Sequence, residues 1–148
     1  MNFLSYTHPV LSCQEAKVLE SCALVDEAAE WAAMKLAGQG IAKHLVQDYA
    51  ELRSPPEYLR ILALIGKGNN GGDALIACGQ LLADFPRARV ELILTLPAEE
   101  LRPLAVRALQ QLEGRVEVHQ ISDQNDVSEI TQVLSDAAGS EGFHICID

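Results

Sequence analysis

The residues best suited to chemistry lie in one octapeptide, Gly66-Lys67-Gly68-Asn69-Asn70-Gly71-Gly72-Asp73. Glycines let a backbone approach a ligand closely, and a turn that opens a helix directs unpaired backbone N–H groups toward an anion. The two amides and the carboxylate add oxygen ligands and hydrogen-bond donors aimed at one point. The octapeptide therefore predicts a turn that cradles phosphate, with Asp73 as the N-cap of the following helix.

The spacing of the octapeptide matches neither common phosphate-binding signature. The third glycine of GxGxxG is missing from its place, and no Gly-Lys-Ser/Thr sequence closes the segment as in a P-loop. A purely structural turn between a strand and a helix is the alternative interpretation. Lys67 is equally compatible with a phosphate contact and with a solvated side chain.

The segments around the octapeptide predict the elements that must position it. The apolar run 59–65 has the length of a buried parallel strand, and 74–82 has that of a helix packed on a sheet. Strand patterns follow at 90–96, at 116–121 near a sheet edge, and at 143–148 as a central strand. They alternate with helices that begin at Pro97 and at Asp126 or Ser128, which predicts a Rossmann-like, doubly wound α/β/α fold with a mainly parallel sheet.

The first 54 residues predict helices only. Ser12 and Glu15 form a capping box that starts a helix to about Cys22, and a longer helical pattern covers 26–52. Gly38 and Gly40 would bend or break the longer helix, or let another helix come close. We expect one domain, 1–148, with a helical segment, 1–54, and an α/β core, 55–148.

The octapeptide resembles the GxGNNGGDG signature of the YjeF N-terminal domain family, the NAD(P)H-hydrate epimerases. Residues 34–42 resemble that family's LMExAGxxxA segment, so the resemblance extends over about 11–148. Ala74 stands where the family usually has glycine, and we expect its methyl group to narrow a ligand's approach to the helix. In the family, the strand ending at the position of Asp148 continues into an ALLGTG segment. We therefore expect a fragment of a longer protein, incomplete at the C-terminus of this domain.

The resemblance implies an epimerase that interconverts the R and S forms of hydrated NADH or NADPH with a bound potassium ion. It implies that five residues contact the dinucleotide: Asn69, Asn70, Gly71, Gly72 and Asp73. Asn70 and Asp148 would ligate potassium, and Asp148 is the one carboxylate nominated for catalysis, as a ligand before a base. Strand-end loops of a parallel sheet share one edge, so the octapeptide and Asp148 are expected to converge there. A terminal carboxylate without a role is the alternative for Asp148.

The resemblance also implies an alternative function, a homodimer and a fused domain. Some relatives, such as the enhancer-of-decapping proteins, keep the fold as an interaction domain, so a non-catalytic ligand-binding or scaffold module is the alternative function. The long N-terminal helix contributes to dimer packing in the family, which makes a homodimer plausible here. A dehydratase domain is often fused to this one, and the intact protein could carry it.

Charge and hydropathy argue against nucleic-acid and membrane partners. The net charge of −10 and the pI of 4.7 argue against nucleic acid and anionic membranes, because no run of Lys or Arg offsets them. Residues 1–9 lack the basic and apolar regions of a signal peptide, and no apolar run reaches the roughly 18 residues of a membrane span. A cytoplasmic protein is therefore expected.

The cysteines and two of the histidines carry weaker predictions. Cys13, Cys22, Cys78 and Cys146 have no metal-binding spacing, and we expect reduced, buried thiols rather than a disulfide framework. His44 and His144 are predicted to be surface or edge side chains rather than catalytic groups.

Overall fold

The structure is a computed structural model that describes residues 10–121 and 124–148, with the backbone alone at 124–126. Residues 1–9, for which no signal peptide was predicted, lie outside that description. The described residues form helices and strands in the order α1 (Cys13–Ala23), α2 (Glu27–Leu52), β1 (Arg60–Ile65), α3 (Asn69–Asp84), β2 (Arg89–Leu94), α4 (Pro103–Gln110), β3 (Glu117–Gln120), α5 (Gln124–Ala138) and β4 (Ile145–Ile147). No helix among them combines the length and apolarity needed to cross a bilayer.

The four strands form one parallel sheet in the order β3-β2-β1-β4. The connections from β1 to β2 and from β2 to β3 run in one direction, and the connection from β3 to β4 returns past β1. With right-handed crossovers, α3 and α4 lie on one face of the sheet and α5 on the other. This confirms the predicted Rossmann-like, doubly wound fold, whose strand order reverses between β1 and β4.

The core lies on the sheet face that α3 covers. Alternate residues of β1, β2 and β4 point to this face and are at most 7% exposed: Ile61, Ala63, Ile65, Val90, Leu92, Leu94, Ile145 and Ile147. Several buried side chains of α3, among them Leu75, Cys78 and Leu81, supply the opposing surface. The turn between β1 and α3 is thus anchored at both ends by buried apolar residues.

Two predictions about these elements need correction. A helix does not begin at Pro97, since a single 3-10 turn, Ala98–Glu100, follows it. The helix begins at Pro103, because proline lacks the N–H needed in a helix interior but suits a first turn. The predicted strand nearest the C-terminus pairs only with β1, so in the described sheet it forms an edge rather than the centre.

The chain divides into two compact units, the second of which is Met34–Asp148. In the first unit the predicted capping box is present at the start of α1: Ser12 N–H donates to Glu15 Oε2 at 2.8 Å, and Glu15 N–H donates to Ser12 Oγ at 3.3 Å. α2 starts after Asp26, whose carboxylate accepts from Ala29 N–H at 2.8 Å.

The cysteines correct the expectation of buried thiols. All four are free, but Cys13, Cys22 and Cys146 are exposed and only Cys78 is buried. α1 buries none of its residues, and Cys146 points to the opposite face of β4 from the buried Ile145 and Ile147. Burial raises the pKa of the Cys78 thiol to about 12, so this group stays protonated and unreactive at neutral pH.

Of the two predicted positions for His144, surface or edge, the structure supports the edge: the residue adjoins the edge strand β4, and its side chain is 6% exposed. Its Nδ1 accepts a hydrogen bond from Arg60 N–H at 2.9 Å, and the Tyr49 ring packs edge-on against it with centroids 6.4 Å apart. Desolvation and the Arg60 guanidinium lower the pKa of His144. The neutral ring therefore holds the start of β1 in place, which is a structural role.

We expect the stability of the protein to fall as pH drops below about 6.5, in part through His144. The folded state keeps this ring neutral while the unfolded chain takes up a proton, so acid favours unfolding. His144→Gln keeps a hydrogen-bond acceptor at this position but removes the titrating group. Its free energy of unfolding in urea should therefore change less between about pH 7 and about pH 5 than that of the parent chain. His44→Gln, at an exposed position of α2, is the matched control. Equal pH dependence in both variants would contradict the role of His144.

Candidate functional site

The candidate site is built around the turn that joins β1 to α3. α3 begins at Asn69 with Gly68 as its N-cap, and no side chain caps it. The prediction that Asp73 caps this helix is wrong, because Asp73 already lies inside it. Consequently the first backbone N–H groups of α3 have no side-chain partner and face outward beside the exposed Asn69 and Asn70.

One glycine of the octapeptide is required by backbone packing, and a second lies against a flexible side chain. A Cβ at Gly71 would lie 2.4 Å from the carbonyl oxygen of Gly66, and one at Gly72 would lie 2.6 Å from Met34 Cε. Both glycines are buried. Gly71 therefore lets the turn close on itself, whereas at Gly72 the end of the flexible Met34 side chain occupies the space that a Cβ would take.

The other two glycines have no such structural reason. A Cβ at Gly66 would meet nothing within 4 Å, and one at Gly68 would meet only Asn70 N at 4.0 Å. Neither residue has a positive φ, so the backbone conformation does not require glycine either. Their missing side chains leave open space directly in front of α3, which the purely structural interpretation of this turn does not explain.

The two asparagines differ in their partners. Asn69 Oδ1 accepts a hydrogen bond from Arg102 NH1 at 2.9 Å. Asn70 makes no hydrogen bond through its side chain within the described part of the chain, so its amide is available to a ligand. Asn69 is instead held in one orientation by a cation.

Arg102 is the site residue that sequence reasoning missed. It lies in the connection after β2, at the position that precedes the first turn of α4, and it brings a guanidinium to the edge of the sheet that carries the octapeptide. Its position after a predicted strand could have identified it, because the loops that follow neighbouring parallel strands lie at the same edge of the sheet. The prediction of a helix from Pro97 placed Arg102 inside that helix and hid this signal.

Asp73 and Ala74 follow the exposed turn and are more enclosed. Asp73 is partly buried, and desolvation raises the pKa of its carboxyl group. Ala74 is 3% exposed. Its methyl group lies in the packed interior, which corrects the expectation that it narrows the approach of a ligand.

α2 approaches α3 at Met34 and Gly38, which are spaced four residues apart. Met34 lies against Gly72, and Gly38 approaches so closely that a Cβ would lie 2.6 Å from the Asp73 carbonyl oxygen. Ala42 is fully buried. Gly38 therefore allows a close helix–helix approach and does not break α2, which is one of the two alternatives that its sequence position left open.

Asp148 is exposed and follows β4 at the same end of the sheet as the octapeptide. The pairing of Ala63 with Ile147 extends to place Asp148 beside Leu64, two residues before Gly66. The octapeptide and Asp148 thus flank the gap between β1 and β4, where the strand order reverses and where open α/β sheets bind ligands.

Comparisons with known proteins agree with this architecture. The family model described as "YjeF-related protein N-terminus" matches residues 31–148. A chloroplastic pyridoxine/pyridoxamine 5'-phosphate oxidase 1 of Arabidopsis thaliana is 33% identical over 115 residues, which cover 75% of this chain and 20% of that protein. A bifunctional NAD(P)H-hydrate repair enzyme Nnr of Salinibacter ruber is 33% identical over 108 residues, covering 69% of this chain and 19% of the enzyme.

A solved structure supports the fold independently. The crystal structure of yeast ynu0 superimposes with a TM-score of 0.67 at 19% identity, covering 95% of this chain and 56% of that one. The chain spans about a fifth of the length of the two curated relatives that it matches. Because the family model covers most of the sequence, including the octapeptide and Asp148, this chain belongs to the family of YjeF-related protein N-termini.

Proposed function

We propose that this domain catalyses the epimerisation of hydrated NADH or NADPH. The observation that carries the proposal is the open space in front of α3, where Gly66 and Gly68 lack side chains for no reason of packing or backbone conformation. Membership of the YjeF-related family and the similarity to a NAD(P)H-hydrate repair enzyme support the identity of the substrate.

The dinucleotide would bind with its pyrophosphate against the N-terminus of α3. The first N–H groups of that helix and the positive end of its dipole favour an anion. The Arg102 guanidinium, already bonded to Asn69, adds a positive charge in a chain whose net charge is −10. Asn70, Gly71, Gly72 and Asp73 complete the predicted contact surface, the glycines through their backbone.

The reaction requires the hydroxyl group to leave one face of the hydrated ring carbon and return to the other. Protonation of the hydroxyl lets water depart, the neighbouring ring nitrogen stabilises the resulting cation, and water then adds and loses its proton. Asp148, at the end of β4, remains our candidate for a residue that binds near this carbon. Asp73 is a second candidate carboxyl group, because desolvation raises its pKa and leaves a larger fraction of it protonated at a given pH than in an ordinary aspartate.

A potassium ion fits the donor chemistry of this site. Asn70 and Asp148 would hold it, because both are exposed and offer the oxygen ligands that hard cations prefer. Such an ion would supply electrostatic stabilisation of the bound anion. Among the described residues no group of three or more His, Cys, Asp or Glu side chains could hold a metal.

The test is a proton NMR assay of R-to-S conversion with the parent chain and with Gly68→Ala. We expect the variant to unfold at the same urea concentration as the parent, since the added Cβ meets only Asn70 N at 4.0 Å. We expect its KM to rise about tenfold, because the methyl group occupies the space proposed for the ligand. Asn70→Ala and Asp148→Ala should each lower kcat/KM by at least about tenfold.

Lys17→Gln, on α1, serves as the control for a surface substitution outside the site. Conversion that is faster than the spontaneous reaction and falls in all three site variants would support the epimerase. A folded parent chain with no acceleration would refute it for this chain and would favour a non-catalytic ligand-binding or scaffold module. Unchanged kinetics in Gly68→Ala would refute the placement of the ligand in front of α3.

We further propose that the intact protein contains a second catalytic domain and forms a homodimer. The bifunctional character of the Salinibacter ruber relative supports the first proposal. The small residues of α2, which permit close helix packing, support the second. The length of the natural protein and its mass in solution test these two proposals separately.

A further inference from the structure

A second cavity, of about 210 Å³, lies among the helices on one side of the sheet. α2 contributes Lys35 and Gln39 to its wall, α3 contributes Gln80, and the turn after α4 contributes Gln111 and Arg115. No residue of the octapeptide lines it, so it is separate from the candidate site described above.

Two exposed cations, Lys35 and Arg115, line this cavity. Lys35 and Arg115 form no ion pair within the described residues. The whole chain has only 11 Lys and Arg against 21 Asp and Glu. Two unpaired cations at one cavity of an acidic protein create a local positive potential that favours an anion.

The floor of the cavity is apolar and is kept open by a glycine. Leu75 and Leu112 are 1% and 3% exposed, and Ile76 lies beside them. A Cβ at Gly79 would lie 3.4 Å from Leu112 Cδ2, so a larger residue there would fill the space. The cavity thus combines a packed apolar base with a polar, positively charged rim.

We propose that this cavity binds a small phosphate monoester. A phosphate monoester carries a charge of about −1.5 to −2 at neutral pH. This charge balances two cations more closely than the single negative charge of a carboxylate ligand would. The guanidinium of Arg115 can donate two parallel hydrogen bonds to phosphate, and Lys35 adds a point charge from the opposite wall.

The remaining groups and the volume define the rest of the ligand. The amides of Gln39, Gln80 and Gln111 donate to or accept from hydroxyl groups, and the apolar floor packs against a sugar or ring. Drug-sized ligands occupy pockets of about 300 Å³ or more, so this cavity suits one phosphate with one small ring and is too small for a dinucleotide.

The test is a titration of the ¹⁵N-labelled chain with ribose 5-phosphate, followed by amide NMR. We expect saturable shifts in residues of the cavity wall and none with ribose, which lacks the anion. Lys35→Gln and Arg115→Gln should each raise the Kd about tenfold, since each removes a charge-assisted hydrogen bond. Lys43→Gln, an exposed cation two turns along α2, is the matched control and should leave the Kd unchanged.

Three outcomes would overturn the proposal. The first is an absence of saturable shifts at millimolar ribose 5-phosphate. The second is that the shifts fall only on Gly66–Asp73, which would place the phosphate at the start of α3 instead of in the cavity. The third is equal weakening by Lys35→Gln and Lys43→Gln, which would mean that the anion senses only the general surface charge. None of these results depends on epimerase activity.

Discussion

Gly71→Ala lowers the free energy of unfolding by about 2 kcal/mol and disrupts the turn at the start of α3. The new Cβ would lie 2.4 Å from the Gly66 carbonyl oxygen and 3.3 Å from Ile65 Cγ2. The first of these neighbours is backbone, so relief requires the turn itself to open. Overpacking of this kind costs about 3 kcal/mol, and the higher helix propensity of alanine offsets about 1 kcal/mol of it. Urea unfolding measures the difference.

Gly66→Ala is the matched control for this prediction. The residue lies in the same turn, has no positive φ, and has nothing within 4 Å of an added Cβ. We expect its unfolding free energy to stay within about 0.5 kcal/mol of the parent value. If Gly71→Ala were as stable as Gly66→Ala, the turn would be more compliant than the geometry indicates, and the packing role of Gly71 would have to be abandoned.

The two glycines of α2 are expected to respond with opposite signs. Gly38→Ala places a Cβ 2.5 Å from Ile76 Cβ and 2.6 Å from the Asp73 carbonyl oxygen. Because both neighbours are backbone atoms or the branch point of a side chain, α2 and α3 must separate, and we expect a loss of about 2 kcal/mol. Gly40→Ala meets nothing within 4 Å, and helix propensity alone should stabilise the protein by about 1 kcal/mol.

The same pair of variants tests whether α2 positions the candidate site. Gly38→Ala should also shift the amide NMR signals of Asn69 and Asn70, because it displaces the helix that carries them. Gly40→Ala should leave those signals in place while raising the urea midpoint. Destabilisation by both substitutions would show that the helix tolerates no side chain at either position, and the specific contact between Gly38 and α3 would no longer explain the effect.

The glycines of the octapeptide serve two different purposes, close packing and space for a ligand. Gly71 and Gly72 are buried and allow close packing, whereas Gly66 and Gly68 face open space. We expect a substitution at Gly71 to change folding, and a substitution at Gly66 or Gly68 to change ligand binding alone. Activity measurements on variants of this segment are interpretable only when the stability of each variant is measured beside them.

The amino-acid sequence by itself determined the elements and their order. The apolar runs before and after the octapeptide predicted β1 and α3, and the capping residues Ser12 and Glu15 marked the start of α1. These features depend on neighbours within a few positions, so periodicity and capping reveal them. The alternation of strands and helices then sufficed for the parallel, doubly wound sheet, because right-handed crossovers leave few alternatives.

The tertiary structure alone decided which side chains meet. The bond from Arg102 to Asn69 joins residues 33 positions apart, and the bond from Arg60 N–H to His144 joins residues 84 positions apart. The local sequence pattern carries no information on such pairs, which is why Arg102 was missed and the contact of His144 with β1 was not predicted. Cys146 was misplaced for a related reason, since an apolar run does not say which face of a strand is covered.

The same distinction applies to the glycines. The sequence shows four glycines in eight residues, but whether each one serves the backbone, the packing or a ligand depends on the atoms that a Cβ would meet. At Gly71 those atoms belong to the turn itself, at Gly72 they belong to α2, and at Gly68 and Gly66 the space is open. Sequence therefore located the candidate site, and the tertiary surroundings of each glycine determined which positions serve packing and which remain free to bind a ligand.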